Sequence, residues 1–305
     1  MHVRGPAFYP SALVAVLLAL VGCAKQDAKE ELVRTPTGTT KTVKAVSARP
    51  GNTNGSVFIV EYHKVAKEEA RWDRSESRFK SDLERLYRLG FRPVHLQDYL
   101  RNKMDLAPGA SPVVFTFDDA HPSQFTLMPD GGIDPHCAVG IWQNFASTHA
   151  DFPICATFYV LPGLWGQKNR VAQKVAMLKK WGCELGSHTM THAALNKLSA
   201  TAVQKELAGS QEMIHNLGMT CESIALPYGI SPKRAELLGQ FSLGGKTYRH
   251  RAALLVGSNP APAPGSRTLK PFRLPRIQGI EGDYGITFWM DKVEEGECKV
   301  YVQPR

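Results

Sequence analysis

The sequence predicts an α/β domain built on parallel strands, open to closure as a barrel. Apolar runs of strand length alternate with segments of helical period from residue 56 to 281. Those runs lack the polar alternation of a half-exposed sheet, so they read as strands buried on both faces. No internal repeat and no break in composition divides the stretch, which makes it one domain. The central run, Val113-Val114-Phe115-Thr116-Phe117, ends in two adjacent carboxylates, Asp118 and Asp119. Such folds place their active sites at the carboxyl ends of their strands, although Asp is also common in helix caps and turns.

The first strand is Ser56-Val57-Phe58-Ile59-Val60-Glu61-Tyr62-His63, with His63 at its end. Residues 75–90 carry Phe79, Leu83, Leu86, Tyr87 and Leu89 at helical spacing, with Ser75 or Ser77 as a cap and Gly90 as the stop. A short strand near 91–94 and a helix over 96–102 lead to the Asp-Asp strand. Residues 119–152 form a long excursion with one helix over 138–148, read as a functional loop or as a surface decoration pinned by Cys137. A strand over 155–161 and a helix over 172–181 follow, and Glu184-Leu185-Gly186-Ser187 delivers His188. A helix from 199 to 217 is stopped by Gly218, and Ser223-Ile224-Ala225-Leu226 ends at Pro227-Tyr228-Gly229. A helix over 232–241, a buried strand over 251–256 and a Pro-rich loop over 259–264 complete the series. Residues 282–305 are a C-terminal extension, whose run Ile286-Thr287-Phe288-Trp289-Met290 favours a last strand.

Residues 1–22 hold basic His2 and Arg4 and an apolar run from Ala12 to Val21, too short to span a bilayer comfortably and read as a secretory signal. The run closes with Leu20-Val21-Gly22-Cys23, which resembles the lipobox of bacterial lipoproteins. That resemblance implies lipidation of Cys23, a membrane anchor and export from the cytoplasm. Ala24 in place of Asp favours an outer-membrane or cell-surface address. Residues 23–55 are rich in Lys, Thr, Pro and Gly and read as a flexible tether.

The formal net charge of +9 arises partly in this tether and suits anionic lipid or cell-wall polymer. No basic face with interleaved aromatics and no nucleic-acid module is present, so a nucleic-acid role is not expected. Besides Cys23, the chain has Cys137, Cys155, Cys183, Cys221 and Cys298 without a CxxC pair, which argues against a zinc ribbon and leaves room for one or two disulfides.

His188-Thr189-Met190-Thr191-His192 places two imidazoles four residues apart directly after a strand. Neutral imidazole is the commonest transition-metal ligand. With one carboxylate from the Asp-Asp pair, these residues make a two-His, one-carboxylate site, which leaves the second carboxylate free to act as a base.

Thr116-Phe117-Asp118-Asp119 and His188-Thr189-Met190-Thr191-His192, in this order, resemble the first two motifs of the polysaccharide deacetylase family, the NodB-homology domain of carbohydrate esterase family 4. Leu226-Pro227-Tyr228-Gly229 resembles the end of its third motif. The resemblance covers roughly residues 57–278. It implies a distorted (β/α) barrel, a divalent metal, usually zinc, and removal of acetyl groups from N-acetylated sugars in a polysaccharide. It assigns Asp119, His188 and His192 to the metal, Asp118 to the general base, and the backbone N–H of Tyr228 to the oxyanion.

Two departures follow. The third motif normally carries an arginine that pairs with the base, and that position here is Ala225; Arg276 is the candidate replacement, with Arg273 second. The family's late acid histidine is also missing, since no His follows His250. Relatives acting on poly-β-1,6-N-acetylglucosamine take the acid from an N-terminal Tyr-His, which Tyr62-His63 matches. His63 is therefore the expected general acid, with His121 and His250 behind it. The competing expectations are a metal-containing glycan-binding protein with weak or no turnover and a metal amidase acting on a small molecule.

Overall fold

The computed structural model describes the backbone of 31–34 and 40–43, and residues 49–305. The expected signal and Cys23 lie outside the described residues. Within the expected tether, Glu31–Arg34 pairs antiparallel with Thr40–Val43.

The core is an eight-stranded parallel sheet. From one end its order is Ala252–Leu254, Ser223–Ala225, Glu184–Ser187, Ala156–Val160, Ser111–Phe117, Phe58–Tyr62 and Ile277–Gln278, with Phe91–Pro93 paired to the start of Ser111–Phe117. The two ends are linked by one segment. Leu274 exchanges backbone hydrogen bonds with Ala253 and Leu255, while Ile277 and Gln278 pair with Val60 and Glu61. The result is the distorted barrel expected from the sequence.

The pleat sorts the side chains, because successive residues of a strand point to opposite faces. Val57, Ile59 and Val114 join Tyr159, Ala225, Leu254 and Leu274 in the cluster that fills the barrel. Phe58, Val60, Tyr62, Phe115 and Phe117 face outward and pack in the cluster under the helices Glu76–Arg88 and Ala138–Ala146. Continuing the inner face by twos, Val57-Ile59 leads to Glu61 and His63, and Val114 leads to Thr116 and Asp118. The apolar filling thus gives way to a polar tier at the carboxyl ends. Tyr62 belongs to the outer face, where its hydroxyl donates to Asp82 at 2.9 Å.

Three local expectations are corrected. Residues 286–290 lie in a helix, Ile286–Glu294, not a strand: Ile286 and Met290, four apart, are the buried pair. Arg85 of the Glu76–Arg88 helix holds this helix through Asp291 and Glu294. The helix expected over 232–241 shortens to a single 3-10 turn, Ala235–Leu238, followed by the antiparallel pair Gln240–Leu243 and Lys246–Arg249. Gly244 and Gly245, both at positive φ, supply the two-residue hairpin turn. No disulfide is present among the described residues: all five cysteines there are free, and Cys137 sits in the outer core.

The chain on both sides of 56–281 packs on the same body. Arg49 donates to the carbonyl of Gly109 at 2.9 Å and to the Ser111 hydroxyl at 3.0 Å, and Asn52 and Ser56 bridge Val302 and Val300.

Candidate active site

Asp118 leaves the end of the Ser111–Phe117 strand and is buried. Both of its carboxylate oxygens are taken by one guanidinium: Arg276 Nη1 donates to Oδ1 at 2.8 Å and Nη2 to Oδ2 at 2.7 Å. Arg276 is itself fully buried, and its Nε donates to the Leu255 carbonyl at 2.8 Å. Burial alone would raise the Asp118 carboxyl, but the charges of Arg276 and His188 prevail and hold it well below the usual carboxylate range. The structure therefore brings Arg276 to the expected partner, and Ala225 contributes only its carbonyl and a small inward side chain. Arg273 lies in a surface turn with no part in this pairing.

Asp119 turns the other way because its backbone is left-handed, at φ 74°. Its Oδ1 lies 3.3 Å from His188 Nε2 and 3.7 Å from His192 Nε2. His188 is buried, with Nδ1 against the Ala225 carbonyl at 2.8 Å, and its Nε2 has no hydrogen-bond partner. His192 is reached through a loop with Thr189 and His192 at positive φ. Glu206, from the helix Ala200–Asn216, fixes that loop by accepting from the backbone N–H of Met190 and of Thr191 and from the Thr191 hydroxyl at 2.8–2.9 Å.

One atom from each of Asp119, His188 and His192 lies within 4.8 Å of the others. The donor set suits a divalent transition metal, and the buried, unpartnered Nε2 of His188 is a lone pair left for a ligand. The residues present fit such an ion.

The third side of the site comes from the Phe58–Tyr62 strand. His63 Nε2 lies 3.7 Å from Glu61 Oε1, and its ring sits 4.7 Å from that of Trp72. Burial lowers the His63 pKa against the opposing pull of Asp118 and Asp119. Tyr228 stands at φ 59° in the turn Pro227–Gly229; the residue is 62 % exposed and its ring lies 4.7 Å from that of His192. A cleft of about 270 Å³ is lined by His63, Trp72, Asp118, Asp119, His188, His192 and Tyr228, together with Leu226, Val256 and Lys64.

Over residues 106–244 the sequence matches the polysaccharide deacetylase family. That match supports a hydrolase of carbon–nitrogen bonds other than peptide bonds, with deacetylation of polysaccharide as its reaction. No curated protein sequence matches it significantly. The fold of the chain is similar to that of the Streptococcus pyogenes deacetylase PplD, solved with acetate, at 17% identity and a TM-score of 0.57 over 78% of this chain and 98% of that one. A Bacillus cereus polysaccharide deacetylase gives 17% and 0.58 over 85% and 74%. IcaB from Ammonifex degensii gives 17% and 0.53 over 78% and 96%.

Two fallback acids stand elsewhere in the chain. His121 caps the turn Pro122–Gln124, with Nδ1 2.9 Å from the Ser123 hydroxyl. His250 is buried against Gln211 and the Leu238 carbonyl, with burial bringing it down to about 4, and does not line the cleft. Four supports had no sequence signal: Glu206, Gln124, Trp72 and Gly257. Gln124 Nε2 donates to the His63 carbonyl at 2.6 Å and to that of Asp118, joining the two strand ends. At Gly257 a Cβ would overlap the Arg276 carbonyl, so only glycine allows the approach. None of residues 120–152 lines the cleft, so the long excursion flanks the site without roofing it.

Proposed function

We propose that the chain hydrolyses the N-acetyl amide of N-acetylglucosamine-type units in an extracellular or cell-wall polysaccharide, releasing acetate. The observation that carries this reading is the buried Asp118–Arg276 pair set beside the Asp119, His188 and His192 cluster in one open cleft. Asp119, His188 and His192 would hold a divalent cation, with zinc the expected ion. When bound it supplies Lewis-acid polarisation at the acetamide carbonyl and the attacking water.

The chain's own residues do the rest. Asp118, kept ionised by Arg276, accepts the proton of the water that attacks the carbonyl. The Tyr228 N–H donates to the oxygen on which negative charge develops. His63 delivers a proton to the departing amine nitrogen as the carbon–nitrogen bond breaks. Leu226, Val256 and Trp72 give the cleft an apolar lining that suits the acetyl methyl. An unroofed cleft favours a polymer over a small-molecule amide. The pairing of Asp118 by Arg276 answers the loss of the motif arginine at Ala225, one of the two departures that favour a binding-only site.

The test is acetate release from N-acetylglucosamine oligomers by chelator-treated protein with and without restored zinc. Release restored by zinc in the wild type and lost in Asp118→Asn supports the reading; equal release with and without metal overturns its metal dependence. From the residues before Ala24 we further propose export and lipid anchoring at Cys23, at the outer membrane or cell surface. Incorporation of labelled fatty acid that persists in Cys23→Ala would overturn that assignment.

A further inference from the structure

One buried ionisable group in the site has no part in the scheme above. Glu61 is almost wholly buried on the inner face of the first strand, two residues before His63. Its two oxygens are used differently. Oε2 lies 3.4 Å from Arg276 Nε and accepts from the Gly257 N–H at 3.4 Å, whereas Oε1 has no hydrogen-bond partner and lies 3.7 Å from His63 Nε2. One atom each of Glu61, His63 and Asp118 lies within 4.8 Å of the others. A carboxylate oxygen withdrawn from water and left unpaired is costly, and the imidazole beside it is the group in reach that can donate to it.

We infer that Glu61 is a positioning residue for the acid half of the reaction: through Oε1 it fixes the His63 ring with Nε2 toward itself and Nδ1 toward the cleft, and through Oε2 it ties that ring to the guanidinium that holds the base. The acid and the base are thereby set relative to one another by Arg276, a cation between two carboxylates. The charged and titratable groups facing Glu61 are Arg276 from the closing segment, Asp118 from the central strand, His188 from the strand beyond, and His63 from its own. Burial, opposed by Arg276 and reinforced by Asp118, lifts the Glu61 carboxyl to about 7, which suits a group that shares a proton with an imidazole.

This inference rests on the reading of His63 as the acid, so its test has one arm that needs no turnover. Glu61→Gln is nearly isosteric and can still accept from the Gly257 N–H beside Arg276, but its amide N–H₂ would face His63 Nε2 as a donor. In metal-free protein, nitrogen NMR should show His63 carrying its proton on Nε2 in the wild type and on Nδ1 in the variant. In zinc-restored enzyme, kcat for acetate release should fall about 10- to 100-fold with KM changed less than about twofold. The alkaline limb of the pH profile should move down by about one unit, because loss of a neighbouring anion disfavours the imidazolium. The melting temperature should stay near that of the wild type. An unchanged tautomer, or a wild-type kcat and pH profile in Glu61→Gln, overturns the inference. If the wild type releases no acetate, the functional reading falls, while the tautomer still decides what Glu61 does to His63.

Discussion

The two ends of the barrel invite confusion, because each holds a cavity beside a carboxylate largely withdrawn from water. At the amino ends of the strands a cavity of about 570 Å³ is lined by His95, Gln97, Asp98, Glu184 and Glu222, among others. It is larger than the cleft at the carboxyl ends. Burial lifts Glu184 to about 7, as it does Glu61, and both Gln97 side-chain polar atoms are buried without partners. Cys155 even lies 3.3 Å from His95 Nδ1, but burial pushes that thiol well above its ordinary range, so it is no nucleophile. What differs is the company each carboxylate keeps. Glu184 is bonded to the Thr157 hydroxyl and repelled by Asp98 and Glu222. Asp118 meets a guanidinium on both oxygens, and its sequence neighbour meets two imidazoles. Desolvation alone marks any enclosed acid; chemistry needs opposite charge and open ligand atoms converging on one space.

The contrast breaks most visibly if activity responds to the wrong end. Asp118→Asn and His188→Ala should each lower acetate release by about 10³-fold or more, while Glu184→Gln stays within about twofold of wild type in the same assay. Comparable losses at both ends would erase the distinction drawn here.

Stability sharpens it next. Arg276→Met strands the Asp118 charge in the barrel and should cost about 3–5 kcal/mol by urea unfolding at pH 7, read together with loss of turnover. A loss below about 1 kcal/mol would mean that water reaches the pair. Gly257→Ala, which forces a methyl against the Arg276 carbonyl, should cost about 1–3 kcal/mol.

An effect of similar size belongs to the amino end and depends on pH. The Glu184 carboxyl is raised in the folded state, so its favourable contribution is complete below the unfolded value near 4.5 and is lost as pH rises through about 7. Glu184→Gln should therefore gain about 1–3 kcal/mol on the wild type at pH 8 relative to pH 4, measured by denaturant unfolding. A pH-independent difference would show that Glu184 is solvated.

Much of the site is legible in the chain because local pattern carries it. The run over residues 113–117 is mostly β-branched or aromatic, which favours a buried strand, so the acids that end it emerge at its rim, and the His pair follows the next strand but one. The barrel was legible for the same reason. Other parts depend on residues that meet only after folding. Glu206 reaches the histidine loop from a helix, Gln124 joins two strand ends, and Gly257 matters only because Arg276 passes beside it. The Ile286–Glu294 helix shows a related limit: five consecutive apolar or neutral residues suit a strand or a helix equally, and docking on Arg85 decided between them. Ala225 marked the loss of an arginine, but nothing local showed that a side chain 158 positions from Asp118 would supply the charge.

That separation has a consequence for how the enzyme comes into being. Arg276 rides on the segment that closes the ring, and the strands of residues 56–254 can line up before it arrives. A growing chain therefore carries its acids and imidazoles long before it carries the cation that sets them in place. Contacts so far apart in sequence form late and slowly. Hydrolysis then becomes a reporter of completed folding: a chain cut short before residue 274 would keep every recognisable motif and stay silent.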